Sequence, residues 1–127
     1  MAKVGYGRIS LIDQNLAAQE SKLDEFGCNK IFLDKHMSTT SDGPALKEVL
    51  NYVREGDCIV ITKLDRLARS TYHLTIIADE LKEKGVDLVV LDQNIDTSTP
   101  TGKLFFDTLA SIAEFEAEIR KERDTWT

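Results

Sequence analysis

The chain has 127 residues, 42% of them hydrophobic and 30% charged, which is enough for one domain with its own core. No apolar run approaches the roughly 18 residues of a membrane span, and the opening MAKVGYGRIS has neither the apolar stretch nor the cleavage pattern of a secretory leader. The expected setting is therefore cytoplasmic. A net charge of −6 excludes a generally basic nucleic-acid binder, so any phosphate-handling surface must be a local concentration of Arg and Lys.

Three or four β-then-α units follow in chain order. Residues 3–9 read as a strand with apolar Val4, Tyr6 and Ile9, and Asp13 as the N-cap of a helix running to Phe26 and stopped by Gly27. Residues 30–34 (KIFLD) form a second strand. The polar stretch 35–43 (KHMSTTSDG) is a loop, and Pro44 opens a helix at the position proline favours. Leu46, Val49, Leu50 and Val53 give that helix its stripe, and Gly56 is expected to end it. Residues 58–62 are a β-branched strand. Ser70 caps a helix with Leu74, Ile77, Ala78 and Leu81 on one face, stopped at Gly85, and 86–91 is a near-continuous apolar strand. The alternation implies an α/β domain with a central, mostly parallel sheet between helical layers. Cys28 and Cys58 border apolar segments without ligand spacing and read as buried free thiols.

The last segment is different. From Thr99 and Pro100 a helical pattern runs unbroken to Asp124, on the order of 36 Å, longer than a small domain requires. Phe105, Leu109, Ile112 and Ile119 form one stripe; Phe106, Ala110, Ala113 and Ala117 form a neighbouring one. Such a helix either packs on its own sheet or projects towards a partner subunit, and its length favours projection.

In parallel sheets ligands bind outside the carboxyl ends of the strands. Arg8, Ser10 and Gln14 follow the first strand there, and KLDRLARS, with Lys63, Asp65, Arg66 and Arg69, follows the third. A serine ringed by arginines is a candidate nucleophile for a phosphodiester, because guanidinium groups hold phosphate oxygens in pairs and stay charged. On chemistry alone, a solvated cationic rim with an incidental serine fits equally well. Gln19 lies on the core-facing stripe of the first helix, where a polar amide needs a partner, either structural or in a site.

Competing motifs fail. Thr101-Gly102-Lys103 resembles a phosphate loop, but Leu104 follows where Ser or Thr is required and Thr97 replaces the leading glycine. There is no G-x-S-x-G, and His36 and His73 lack metal-ligand spacing. Glu114, Glu116, Glu118 and Glu122 read as the solvated face of a helix.

GYGRIS followed by DQN, then KIFLDK, REGD, KLDRLARS, NIDTSTPTGKLFF and AEFEAEIRKER, in that order and spacing, resemble the catalytic domain of serine site-specific recombinases of the resolvase and invertase type. The resemblance implies that Ser10 attacks the DNA backbone and becomes joined to a 5′ phosphate. Arg8, Arg66 and Arg69 would surround that phosphate, with Asp65 orienting the cluster. Tyr6, Gln14, Gln19, Ser38 and Lys63 would support the site, and Glu122 and Arg123 would contact DNA or neighbouring subunits. It further implies no metal, no cofactor and no small-molecule substrate. Homodimers would pair into tetramers through the long helix, with Phe105, Leu109, Ile112 and Ile119 at the interface.

Departures from the family pattern accompany the resemblance. Gly43 stands where the family usually places an arginine before Pro44, so Gly43→Arg is expected to speed cleavage. Ala117 follows Glu116 where Arg is common. The chain reads as a core of about 1–98 plus a helix of about 99–124, with the family's helix-turn-helix domain expected to be absent. Two rivals are a relic that only pairs with intact recombinases, favoured by Gly43, and a flavodoxin-like small-ligand domain, favoured by fold class alone.

Overall fold

The computed structural model describes residues 2–8, 16–35, 43–68 and 70–125, the last two without their side chains. Its elements are β1 (Lys3–Arg8), α1 (Leu16–Phe26), β2 (Lys30–Asp34), α2 (Pro44–Tyr52), β3 (Cys58–Ile61), α3 (Thr71–Lys84), β4 (Asp87–Val90), β5 (Ile95–Asp96) and α4 (Pro100–Thr125). Two short 3-10 turns, Leu64–Arg66 and Leu91–Gln93, follow β3 and β4. The sheet order is β2-β1-β3-β4-β5. The first four strands are parallel, and β5 is an antiparallel edge joined by Val90↔Ile95.

Strand parity divides the sheet into two unequal faces. Val4, Tyr6, Phe32, Ile59, Ile61, Leu88 and Val90 point to one core, where α2, α3 and the first turns of α4 cover them. On the other face α1 lies directly over β1, and glycines make that approach possible. A Cβ on Gly5 would sit 3.2 Å from both Cys28 Sγ and Leu23 Cδ1, and one on Gly7 only 2.9 Å from Leu33 Cδ2.

Local signals set several boundaries. The Ser70 hydroxyl accepts the His73 N–H at 3.1 Å, capping α3, and Gly85 ends that helix in the left-handed region (φ 74°). The end of α2 differs from expectation. The helix stops at Tyr52 rather than at Gly56, because buried Val53 turns extended and Asp57 Oδ2 accepts the Arg54 N–H at 2.9 Å. Gly56 instead lies in the turn closed by Asp57 N–H to Arg54 O. The N-cap expected at Asp13 falls outside the described residues, as do 36–42 of the polar loop.

The long helix lies back on its own domain rather than standing clear of it. It runs antiparallel to α3, with Lys82 Nζ 3.4 Å from Asp107 Oδ1 near one end and Arg120 stacked on Tyr72 near the other. Phe106, Leu109 and Ala110 are buried. Leu109, expected at a subunit interface, is thus a core residue of this chain, and Phe105 packs partly against the same core. Ile112 is exposed and Ile119 half-buried. Helical periodicity locates an apolar stripe but cannot say whether its cover comes from the same chain.

Candidate functional site

The strand order places a switch point between β1 and β3, and two of the three arginines of interest, Arg8 and Arg66, gather at its carboxyl edge. Arg8 is the last residue of β1. That strand pairs with β3 only as far as Gly5↔Val60, so its end needs another neighbour. Gln19 of α1 supplies one: its Oε1 accepts the Arg8 N–H at 3.0 Å and its Nε2 donates to the Arg8 carbonyl at 2.9 Å. The buried amide thus acts like the peptide of an adjacent strand. Gln19 is a clasp on Arg8, which answers the question its apolar setting raised.

The Arg8 side chain reaches across to the 3-10 turn after β3. Its Nη2 donates to the Asp65 carbonyl and, at 3.4 Å, to the Ala68 carbonyl. Its Nε is buried with no partner among the described residues. Arg66 belongs to the same turn and is almost fully buried, with Nη1 3.6 Å from Asp65 Oδ1. Because the Asp65 carboxylate faces solvent, it offsets the Arg66 charge only weakly. Asp65 therefore serves Arg8 through its main chain and Arg66 through its side chain. Lys63 is exposed at the start of the turn.

Two residues that sequence reasoning missed hold this edge. Gln93, in the 3-10 turn after β4, accepts the Leu64 N–H at 2.9 Å and so props the turn that carries Asp65 and Arg66. Asp34 ends β2 buried, accepting from Tyr6 Oη (2.5 Å), Ala45 N (2.8 Å) and Leu46 N (3.1 Å). It thereby caps α2 from outside the helix, where Gly43 offers no side chain. Sequence parity could have flagged it, since Asp34 shares the inward face of Phe32. Tyr6, fully buried, donates its hydroxyl to this carboxylate.

The edge thus holds a guanidinium whose buried Nε–H has no partner among the described residues and a second one sunk in the turn, on a body of net charge −6. Such a pair can bind an anion and stabilise added charge on it.

The family model for the resolvase N-terminal domain matches residues 3–126. The chain belongs to that family. This resolvase-type domain is 42% identical over 120 residues to the DNA-invertase of Escherichia phage P1, and 44% identical over 119 residues to the transposon Tn917 resolvase of Enterococcus faecalis. Each match covers 94% of this chain but only 64% and 65% of those relatives. Among solved structures, the N-terminal catalytic domain of TP901-1 integrase superposes with a TM-score of 0.75 at 25% identity, covering 94% of this chain and 98% of that one. A resolvase family site-specific recombinase from Streptococcus pneumoniae gives 0.69 at 22%, covering 98% and 94%, and shows the same fold.

Within this resolvase-family domain the described residues bring together Arg8, Asp65, Arg66 and Gln19. Ser10, Gln14, Ser38 and Arg69 fall outside the described residues. Glu122 and Arg123 are exposed at the end of α4, just past the contact between Arg120 and Tyr72 at the start of α3. Among the described residues no helix is long and apolar enough to cross a membrane.

Proposed function

We propose that this domain cleaves and rejoins DNA by serine phosphoryl transfer in site-specific recombination of the inversion, resolution or transposition type. The observation that carries the reading is the convergence of Arg8 and Arg66 at the β1/β3 edge, in a chain whose sequence relatives are invertases and a resolvase. Ser10 loses its proton and its oxygen bonds to phosphorus. The P–O3′ bond breaks, and the departing oxygen takes a proton to become a 3′ hydroxyl. Arg8, Arg66 and Arg69 neutralise the charge that builds on the non-bridging oxygens. Attack by another 3′ hydroxyl reverses the step and frees the serine, so the bond energy is kept in the protein–DNA link.

The partners in this reading are backbone phosphates and further copies of the chain, in the cytoplasm. This reading gives the domain contacts to backbone phosphates and none to base edges, and the body is acidic. Duplex binding by the 127-residue chain should therefore be weak, salt-sensitive and blind to sequence. The test joins the chain to a DNA-binding domain and offers a nicked suicide substrate carrying that domain's site. A covalent 5′ adduct that Ser10→Ala abolishes is expected. An adduct that survives Ser10→Ala would overturn the assignment of the nucleophile. No adduct at all, from a folded fusion that occupies its site, would overturn the reading of the domain as a catalyst.

A further inference from the structure

The last turns of α4 have little apolar packing to hold them. Phe106, Leu109 and Ala110 are buried, but no residue from 111 to 123 is. Only Ala113, Glu116 and Ile119 are half-buried, one turn apart along the side facing α3. This stretch meets the start of α3 at a pair of residues making two contacts. The Arg120 guanidinium lies 4.8 Å from the centre of the Tyr72 ring, and its Nη2 donates to the Tyr72 hydroxyl. Cation–π stacking holds the guanidinium against the ring.

The place of that contact matters. Tyr72 is in the first turn of α3, two residues after the cap Ser70 and six after Arg66. The pair therefore ties α4 to the segment that carries the arginine edge, and not to the distant end of α3 where Lys82 meets Asp107. Arg123 is three residues beyond Arg120, on the same helical face and one turn further out. Freed from Tyr72, three turns of exposed helix would carry Glu122 and Arg123 away from the edge.

We propose that Tyr72 and Arg120 are positioning residues, which seat the end of α4 on the catalytic edge so that Glu122 and Arg123 are presented beside Arg8 and Arg66. The assignment rests on the recombinase reading above. It predicts that the contact matters more to DNA engagement than to folding, since both partners are exposed.

The experiment uses the 127-residue chain and its Tyr72→Ala, Arg120→Ala and Tyr72→Phe variants. Amide hydrogen exchange is followed along α4, together with thermal melting and affinity for a short mixed-sequence duplex at low salt. Tyr72→Ala and Arg120→Ala should speed exchange over 117–123 by roughly tenfold, as loss of one stacking contact and one hydrogen bond warrants, while 104–110 stay protected. Duplex affinity should fall with little change in melting. Tyr72→Phe, which keeps the ring, should recover part of both. Unchanged exchange over 117–123 would overturn the proposal, as would faster exchange with duplex affinity intact. If the wild-type chain binds no duplex at low salt, adduct formation by the corresponding fusions on the suicide substrate is compared instead. Adduct formed as fast by both alanine variants as by wild type overturns the proposal, whereas no adduct from wild type overturns the recombinase reading on which it rests.

Discussion

The side chain of Gln19 hydrogen-bonds both main-chain groups of Arg8, its carbonyl oxygen taking the N–H and its amide nitrogen reaching the C=O. One residue of α1 thereby fixes the direction in which β1 delivers its arginine. Gln19→Leu fills similar space but leaves the Arg8 N–H and carbonyl without those bonds at a part-buried position. Each such loss costs about 1–3 kcal/mol, so a destabilisation of about 2–4 kcal/mol is expected in urea unfolding. Gln19→Glu, which keeps an acceptor for the N–H but loses the donor, should fall between. Equal stability of Gln19→Leu and wild type would show that Arg8 holds its place without the clasp.

Cys28 and Cys58 are half-buried rather than fully buried, and both thiols are held protonated. Burial, then the neighbouring Cys58, pushes the Cys28 thiol up from 9.0 to about 11, and burial followed by the nearby Asp87 raises Cys58. A folded-state pKa above the unfolded one stabilises the fold while the thiol is neutral, below about 9. That contribution disappears as pH rises from 9 towards 11. Iodoacetamide at pH 8 should therefore modify the native chain far more slowly than the urea-unfolded chain. Comparable rates, read by mass spectrometry, would mean that the thiols are not sheltered.

On α4, Leu104, Ile112 and Phe115 are exposed while Leu109 is buried. If copies of the chain associate through this helix, the contact uses the outward residues, and substitutions on the two sides should behave differently. Phe115→Lys and Ile112→Lys are expected to shift sedimentation towards monomer with melting almost unchanged. Leu109→Lys should instead unfold the domain, because a charge would enter the core. A wild-type chain that stays monomeric at high concentration would remove the self-association reading.

These contrasts show which parts of the molecule are legible in its sequence. Ser70, Pro44 and Gly85 act within one helical turn, so their caps and stops can be read directly. The two-residue strand β5 cannot, since it exists only through pairing with Val89 and Val90. The Gly56 stop fails because Asp57, from the next strand's approach, captures the Arg54 N–H first. At the site, Arg8 and Arg66 are visible as cations at strand ends. What holds them comes from Gln19 and Gln93, residues 11 and 29 positions from the groups they bind, and no spacing rule reports that.

Gly43 has backbone angles open to any residue (φ −68°, ψ 157°), so its constraint is space alone. A Cβ there would overlap the Asp34 carboxylate, which is already committed to Tyr6 Oη and to the N–H groups of Ala45 and Leu46. The expectation that Gly43→Arg simply adds a catalytic guanidinium is revised accordingly. Any side chain at 43 must first displace Asp34, uncapping α2 and breaking its hydrogen bond with Tyr6 Oη. Together these cost about 2–4 kcal/mol, a fall in melting temperature of roughly 10 °C for a domain of this size. Gly43→Ala and Gly43→Arg should suffer about equally, because the first carbon does the damage. In an Asp34→Ala background the further step Gly43→Ala should be nearly neutral, giving a coupling energy above about 1 kcal/mol in the double-mutant cycle. Additive losses would mean that residues 34 and 43 do not compete for one space. In the fusion used for the suicide substrate, the arginine could add on the order of 10²–10³ in rate only if it reaches the phosphate. With Asp34 in place, Gly43→Arg should form adduct no faster than the parent, and a rise by that factor would show that Asp34 yields its position at little cost.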